Sequence, residues 1–305
     1  MISKADVRSA LTGPVPTIRT PYLESGEIDY KALRNMIDFD LQAGAKAIVL
    51  TAGDSHLIAM SDREISDVTK ATTEHVNSRA MVVAADCYYD TKQAIAFAKY
   101  SAEVGTDVLM VMPPDWAASG TAETFAEHYA TIAKIIPVMI VTNVFISRGI
   151  SFGLETVERT LDRTDNLVAI KDDMCGKFAR KLALLAHERC ALWAGGLKQN
   201  HMNMAPYGGV GYLSIFLTFK PEVAHRYWNA WAAGDINDAV GVIRDIDIPF
   251  FDFIAGFPGG FDAAMHGILE LYGLAGRWRP KPYYSLTDAE MERLADFLIR
   301  KALKN

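Results

Sequence analysis

The sequence predicts an α/β chain, a (β/α)8 TIM barrel with a C-terminal helical extension, and three observations carry that expectation. Eight short apolar segments recur before residue 218, with helical patterns between most of them. These segments run apolar without strict alternation, and after Gly234 the pattern turns to helix alone. Parallel strands covered on both faces need such continuous runs, because neither face meets water. Strand-helix-strand crossovers of one hand, repeated eight times, close into a barrel.

The segments are, in order, "VPTIRTPY" (15–22), "AKAIVLTAG" (45–53), "AMVVAADCYY" (80–89), "DVLMVMPP" (107–114), "IPVMIVTNV" (136–144), "LVAIKDD" (167–173), "CALWAGGL" (190–197) and "VGYLSIFL" (210–217). Between them, "SDREISDVTKATTEHV" opens with Ser61 as N-cap and Glu64 three residues on, the capping-box pattern. "TKQAIAFAKYSAEVG" carries a helical apolar rhythm and stops at Gly105, a C-cap glycine. The barrel is therefore expected over residues 1–234, with a short N-terminal helix. Residues 235–305 form the extension packed on it, broken at "FPGG" (257–260) and "RWRPKP" (277–282).

Composition excludes several classes. Half the residues are hydrophobic and 22% are charged, enough to bury a large core. A net charge of -6 without a basic block argues against nucleic acid or an anionic membrane, so a small solute is the expected partner. The N-terminus "MISKADVRSALTGPVP" lacks a secretory apolar core and no stretch approaches the roughly 20 apolar residues that span a bilayer, so a cytoplasmic location is expected. Three widely spaced cysteines, Cys87, Cys175 and Cys190, suit reduced thiols.

In barrels of this kind the carboxyl ends of the strands face substrate. Gly208, Gly209 and Gly211 in "YGGVGY" imitate a phosphate cradle, yet they precede strand 8 and belong to the opposite face. Gly195 ends strand 7 and either lets substrate approach the backbone or makes a plain turn. The seven histidines show no metal-binding spacing, so no metal is expected. Asp172 and Asp173 read as a solvated turn or as partners of nearby cations more readily than as a Mg²⁺ site.

Lys171 is different. A lysine at the rim of an apolar barrel is costly to leave charged, and a neutral amine is a nucleophile towards carbonyls. It either forms a Schiff base or is an ordinary lysine leaving the strand for water.

Over nearly its whole length the chain resembles the dihydrodipicolinate synthase and N-acetylneuraminate lyase family of class I aldolases. The stretches that carry the likeness are "TPYLESGEIDYKALRNMIDFDLQAGAKAIV", "GTDVLMVMPP", "TNVFISRG", "LVAIKDD", "GGVGYLSI" and "LELYGLAGRWRPKPYYSLTDAE". The resemblance places Lys171 on the family's Schiff-base lysine. It implies a barrel that assembles as a homotetramer, a dimer of dimers, and condenses pyruvate or a related 2-keto acid with the lysine. The imine is then the electron sink, so no cofactor is expected. Leu213 lies near the imine by family position.

The departures are informative. Where the family has a Gly-Thr-Thr-Gly-Glu or Gly-Ser-Thr-Gly-Glu loop for the pyruvate carboxylate, this chain has Ala52, Gly53, Asp54, Ser55 and His56. Gly53 and Ser55 can still grip a carboxylate, whereas Asp54 repels one unless it is protonated or turned away. The family's relay tyrosine falls at Thr142, or at Val141 if the alignment shifts by one. The paired tyrosines after strand 4 become Asp115 and Trp116, and the arginine beyond strand 5 aligns with Ser147, next to Arg148. The expected acid–base groups are therefore His56 or Asp54, with Tyr88, Tyr89 or a water held by Thr142 as alternatives.

The expected activity is a class I lyase acting on pyruvate or a related 2-keto acid, by aldol cleavage, condensation or dehydration, and not the dihydrodipicolinate synthase reaction itself. Lys171, Thr142, His56 and Asp54 are the expected catalytic residues. Ser55, Gly53, Leu213, Gly195, Arg148 and Tyr88 are expected to bind substrate. The competing expectations are a catalytically silent relative that binds a keto acid as a sensor or partner, and a dihydrodipicolinate synthase with an altered relay.

Overall fold

The computed structural model describes residues 2–304. They gather into two compact units. Of the described residues, one comprises 2–17 and Ala45–Ser214, and the other Ile18–Gly44 and 215–304.

The first unit contains all eight strands: β1 (Gly13–Val15), β2 (Ala47–Val49), β3 (Met81–Ala85), β4 (Val108–Val111), β5 (Val138–Val141), β6 (Leu167–Asp172), β7 (Ala191–Ala194) and β8 (Gly211–Leu213). They form one parallel sheet in the order β1-β8-β7-β6-β5-β4-β3-β2. A parallel bridge between Thr17 and Val49 brings its two ends together. This is the predicted (β/α)8 barrel. The apolar runs outlast the strands at several carboxyl ends: after β5, for example, Thr142–Phe145 coil into a tight helical turn with Phe145 buried. Burial, not pairing, explains the extra apolar residues there.

The helices of this unit are α1 (Lys4–Ala10), α3 (Asp62–Val76), α4 (Thr91–Glu103), α5 (Ala122–Ile132), α6 (Gly149–Arg163), α7 (Gly176–Ala186) and α8 (Leu197–Met204); α2 (Tyr30–Gln42) belongs to the second unit. Their ends follow local chemistry. Ser61 Oγ accepts the Glu64 N–H and Glu64 returns a carboxylate to the Ser61 N–H at 2.8 Å, the predicted capping box. Gly105, with φ of +89°, follows α4 in the left-handed conformation that stops a helix.

The second unit adds α9 (Pro221–Ala232), α10 (Ile236–Val242), α11 (Ile248–Ala255), α12 (Gly260–Leu271) and α13 (Asp288–Arg300). Its core centres on Phe250, whose ring lies 4.7 Å from that of Phe216 and 5.8 Å from that of Phe219. Asp262 is clamped between Arg19 and Arg279. Among the described residues no helix is long and apolar enough to cross a membrane.

Two features of the barrel yield tests. A Cβ on Gly211 would lie 2.1 Å from the Leu11 carbonyl and 2.5 Å from that of Gly13, so the glycine lets β8 approach β1. Gly211→Ala should lower unfolding free energy by about 1–3 kcal/mol, as overpacking does; an unchanged urea midpoint would show that the strands can part freely. Asp86 follows β3, is fully buried, and accepts the Met112 N–H at 2.8 Å. Burial pushes its carboxyl well above the ordinary value. A folded-state value above the unfolded one of about 3.9 contributes stability that is present below that pH and is lost as pH rises through the raised value. Asp86→Asn should therefore gain stability relative to the parent between acidic and alkaline pH, measured by thermal melting. A constant difference across that range would refute the assignment.

Candidate active site

β6 is the longest strand and the only one to end on two charged side chains among the described residues. Its pairing extends to Val141 and Trp193 opposite Lys171, and to Ala194 opposite Asp172. Successive side chains of a strand point to opposite faces. Lys171 and Asp172 therefore diverge, and Asp173 turns back towards Lys171.

Lys171 is 7% exposed, and its Nζ lies 2.7 Å from each carboxylate oxygen of Asp173. The ammonium also sits 5.9 Å from the centre of the Trp193 ring, within cation–π range. Asp173 is the partner that makes burial of this charge tolerable, since removing one member of a buried pair leaves the other uncompensated.

Asp172 has another task. Its carboxylate accepts from the Thr142 hydroxyl (2.9 Å), the N–H groups of Met174 (3.1 Å) and Cys175 (3.2 Å), and Asn200 Nδ2 (3.1 Å). Those bonds hold the turn that carries Asp173. Burial nonetheless raises the Asp172 carboxyl, against the lowering by Asn200 and Thr142. Neither aspartate is a solvated turn residue; both are tied to partners inside the barrel mouth.

A cavity of about 190 Å³ opens over this pair, lined among others by Gly53, Asp54, Met112, Asn143, Lys171 and Asp173. The turn after β2 is bonded to itself: Ser55 Oγ accepts the Thr51 N–H at 3.0 Å, and Thr51 Oγ1 accepts the Asp54 N–H at 3.0 Å. Asp54 accepts from the Thr17 hydroxyl at 2.9 Å while lining the cavity. Two carboxylates and one ammonium thus face the same small space.

The expected site residues separate on this geometry. Lys171, Asp54 and Gly53 line the cavity. Gly195 lies against the ion pair, where a Cβ would fall 1.7 Å from Asp173 Oδ1 and 3.0 Å from Lys171 Nζ. Ser55 is fully buried and His56, at φ of +57°, is 3% exposed; both sit in the turn behind Asp54. Leu213 closes β8 and is 5% exposed. Tyr88 is half-exposed and bonds to Asn143, a cavity residue; burial, with the nearby acidic groups of Cys87, Asp86 and Asp173, pushes its phenol up against the lowering by Asn143.

Two of the expected residues are engaged with neighbours, outside the cavity. Thr142 is fully buried, and its hydroxyl hydrogen goes to Asp172 while its hydroxyl oxygen accepts from the N–H groups of Asp173 (2.8 Å) and Met174 (3.2 Å). It braces the turn and does not line the cavity; Val141, the alternative, lines it but carries no proton. Arg148 is held by Asp115 at 2.6 Å and by the Gly120 carbonyl at 3.0 Å, with its guanidinium 4.0 Å from the centre of the Phe152 ring. It organises the loop after β4.

Asn143 and Asn200 were not foreseen. Asp173 had a signal, since a residue two places beyond Lys171 shares its face if the strand continues. Asn200 comes from α8, 28 residues after Asp172, and no spacing announces it.

Comparison with known proteins agrees with this architecture. The model of the dihydrodipicolinate synthetase family matches residues 10–301. The 4-hydroxy-tetrahydrodipicolinate synthase of Psychrobacter arcticus is 28% identical over 244 residues, covering 79% of this chain and 79% of its own. Among solved structures, dihydrodipicolinate synthase from Oceanobacillus iheyensis superposes with a TM-score of 0.81 at 23% identity, over 99% of this chain and 100% of the other. N-acetylneuraminate lyase from Fusobacterium nucleatum does so with a TM-score of 0.83 at 16% identity, over 95% and 99%. At these identities the structures attest the fold, and the family rests on the sequence match. With its eight-stranded barrel and a match to all but the ends of its length, the chain belongs to the dihydrodipicolinate synthetase family, lyases of the class I aldolase type.

Proposed function

We propose that the protein is a Schiff-base lyase in which Lys171 condenses with pyruvate or a related 2-keto acid and a carbon–carbon or carbon–oxygen bond is then made or broken. The observation that carries the reading is the buried amine of Lys171 at the carboxyl end of β6, opening on a cavity of about 190 Å³ that suits a small acid. Imine formation withdraws electrons from the neighbouring carbon, so the chemistry runs on the protein's own side chains.

The dihydrodipicolinate synthase reaction itself fits less well. Neither Thr142 nor Val141 is a tyrosine, Arg148 is engaged with Asp115, and Asp54 brings a negative charge to the turn after β2. The same reading takes the molecule as a cytoplasmic homotetramer, a dimer of dimers.

Borohydride added with pyruvate, glyoxylate, 2-oxobutyrate or 2-oxoglutarate should leave the reduced adduct on Lys171, located by peptide mass spectrometry. Lys171→Arg, which keeps the charge but cannot form the imine, should trap nothing. Absence of an adduct across the panel in the parent protein would refute the reading. Thermal stabilisation by a keto acid without adduct or turnover would instead establish a silent binder.

A further inference from the structure

We propose that Asp173 is the acid–base residue of the imine chemistry, exchanging protons directly with Lys171 Nζ and with the atoms that bond to it. The proposal rests on the Schiff-base role of Lys171 above and deepens it. An ammonium cannot attack a carbonyl, so Lys171 must give up a proton to a group within hydrogen-bond reach. Asp173 reaches it with both oxygens, at 2.7 Å each.

The other polar groups nearby have different attachments. The Thr142 hydrogen is donated to Asp172, and Asp54 is held by Thr17. Asp173 is also placed with care: its N–H bonds to Thr142 Oγ1, and Gly195 leaves the space its carboxylate fills. Its side chain is 20% exposed against 8% for Lys171, so the carboxyl can exchange protons with water while the amine stays sheltered.

Every step balances on this one group. Asp173 takes a proton from the ammonium, and the freed amine adds to the carbonyl carbon as the carbonyl π electrons move to oxygen. The protonated carboxyl gives its proton to that oxygen and the carboxylate takes one from nitrogen, leaving the carbinolamine. A second donation from Asp173 releases water as the nitrogen lone pair forms the C=N bond. The carboxylate now faces a protonated imine and can remove a proton from the adjacent carbon, giving the neutral enamine. No electrons enter or leave.

The substrate's own charge helps. The carboxylate of a 2-keto acid is bonded to the carbon under attack, so it arrives close to Asp173. Two neighbouring carboxylates repel, which favours moving the shared proton from Nζ to Asp173 as the carbonyl comes into place.

The test uses the intact protein and pyruvate, or the first acid of the panel that labels the parent. Asp173→Asn keeps an oxygen near Nζ but cannot carry the proton. It should slow both imine formation and exchange of the acid's C3 hydrogens with D2O, followed by NMR, by about 10²–10⁴-fold, and remove the acidic limb of the pH profile. Asp173→Ala should behave likewise and be partly restored by formate, a recovery that a purely structural role does not allow. Gly195→Ala, which pushes the Asp173 carboxylate from its place while leaving Lys171 and Asp173 unsubstituted, supplies an independent slowed variant if the first two do not fold. If the parent forms the adduct and Asp173→Asn or Gly195→Ala forms it at the parental rate and pH profile, the proposal fails while Lys171 stands. If the parent forms none, both fall together.

Discussion

A charge brought into an apolar barrel mouth must be answered by an opposite charge, and the pair formed by Lys171 and Asp173 is the contact around which the site is arranged. The strand that delivers the lysine is buried along its length, so the amine has little water to rely on. Asp173 supplies both its oxygens, Trp193 offers a ring face, and Gly195 withholds a side chain that would collide with the carboxylate. Two neighbouring strand ends, those of β6 and β7, are thereby committed to one nitrogen.

Asp172 shows how adjacent identical residues acquire different work. It points away from its neighbour, into a set of donors drawn from the turn itself, from the end of β5 and from α8. A carboxylate accepting several hydrogen bonds is a strong organiser of local backbone, and here it fixes the direction in which Asp173 departs. Thr142 joins the two aspartates, donating to one side chain and accepting from the backbone of the other. Its chemistry is that of a brace.

Membership of the dihydrodipicolinate synthetase family accounts for the barrel. A second carboxylate in the cavity, Asp54, adds negative charge to the mouth, and Arg148 and Asp115 tie the loop after β4. Both lie in loops, which can change without disturbing the packed strands.

Much of the fold was legible because its signals are local. Eight apolar runs, the Ser61–Glu64 capping box and the left-handed Gly105 each depend on residues close in the chain, and all appear where their chemistry puts them. Strand ends were less legible: burial prolongs the apolar run past β5 into a helical turn, and hydrophobicity does not distinguish the two. Lys171 was visible as an anomaly at the end of β6. Gly195 was visible at a strand end and Thr142 through the family likeness, but their partners were not, and Asn200 was not visible at all, since these residues reach the lysine's aspartates from 22 to 31 residues away. The one-dimensional chain dictates periodicity, caps and the strand that bears the lysine. Which hydroxyl is tied up, which carboxylate faces the amine and which glycine makes room emerge only when distant segments share one volume, because hydrogen bonds and steric exclusion act through space over a few ångströms.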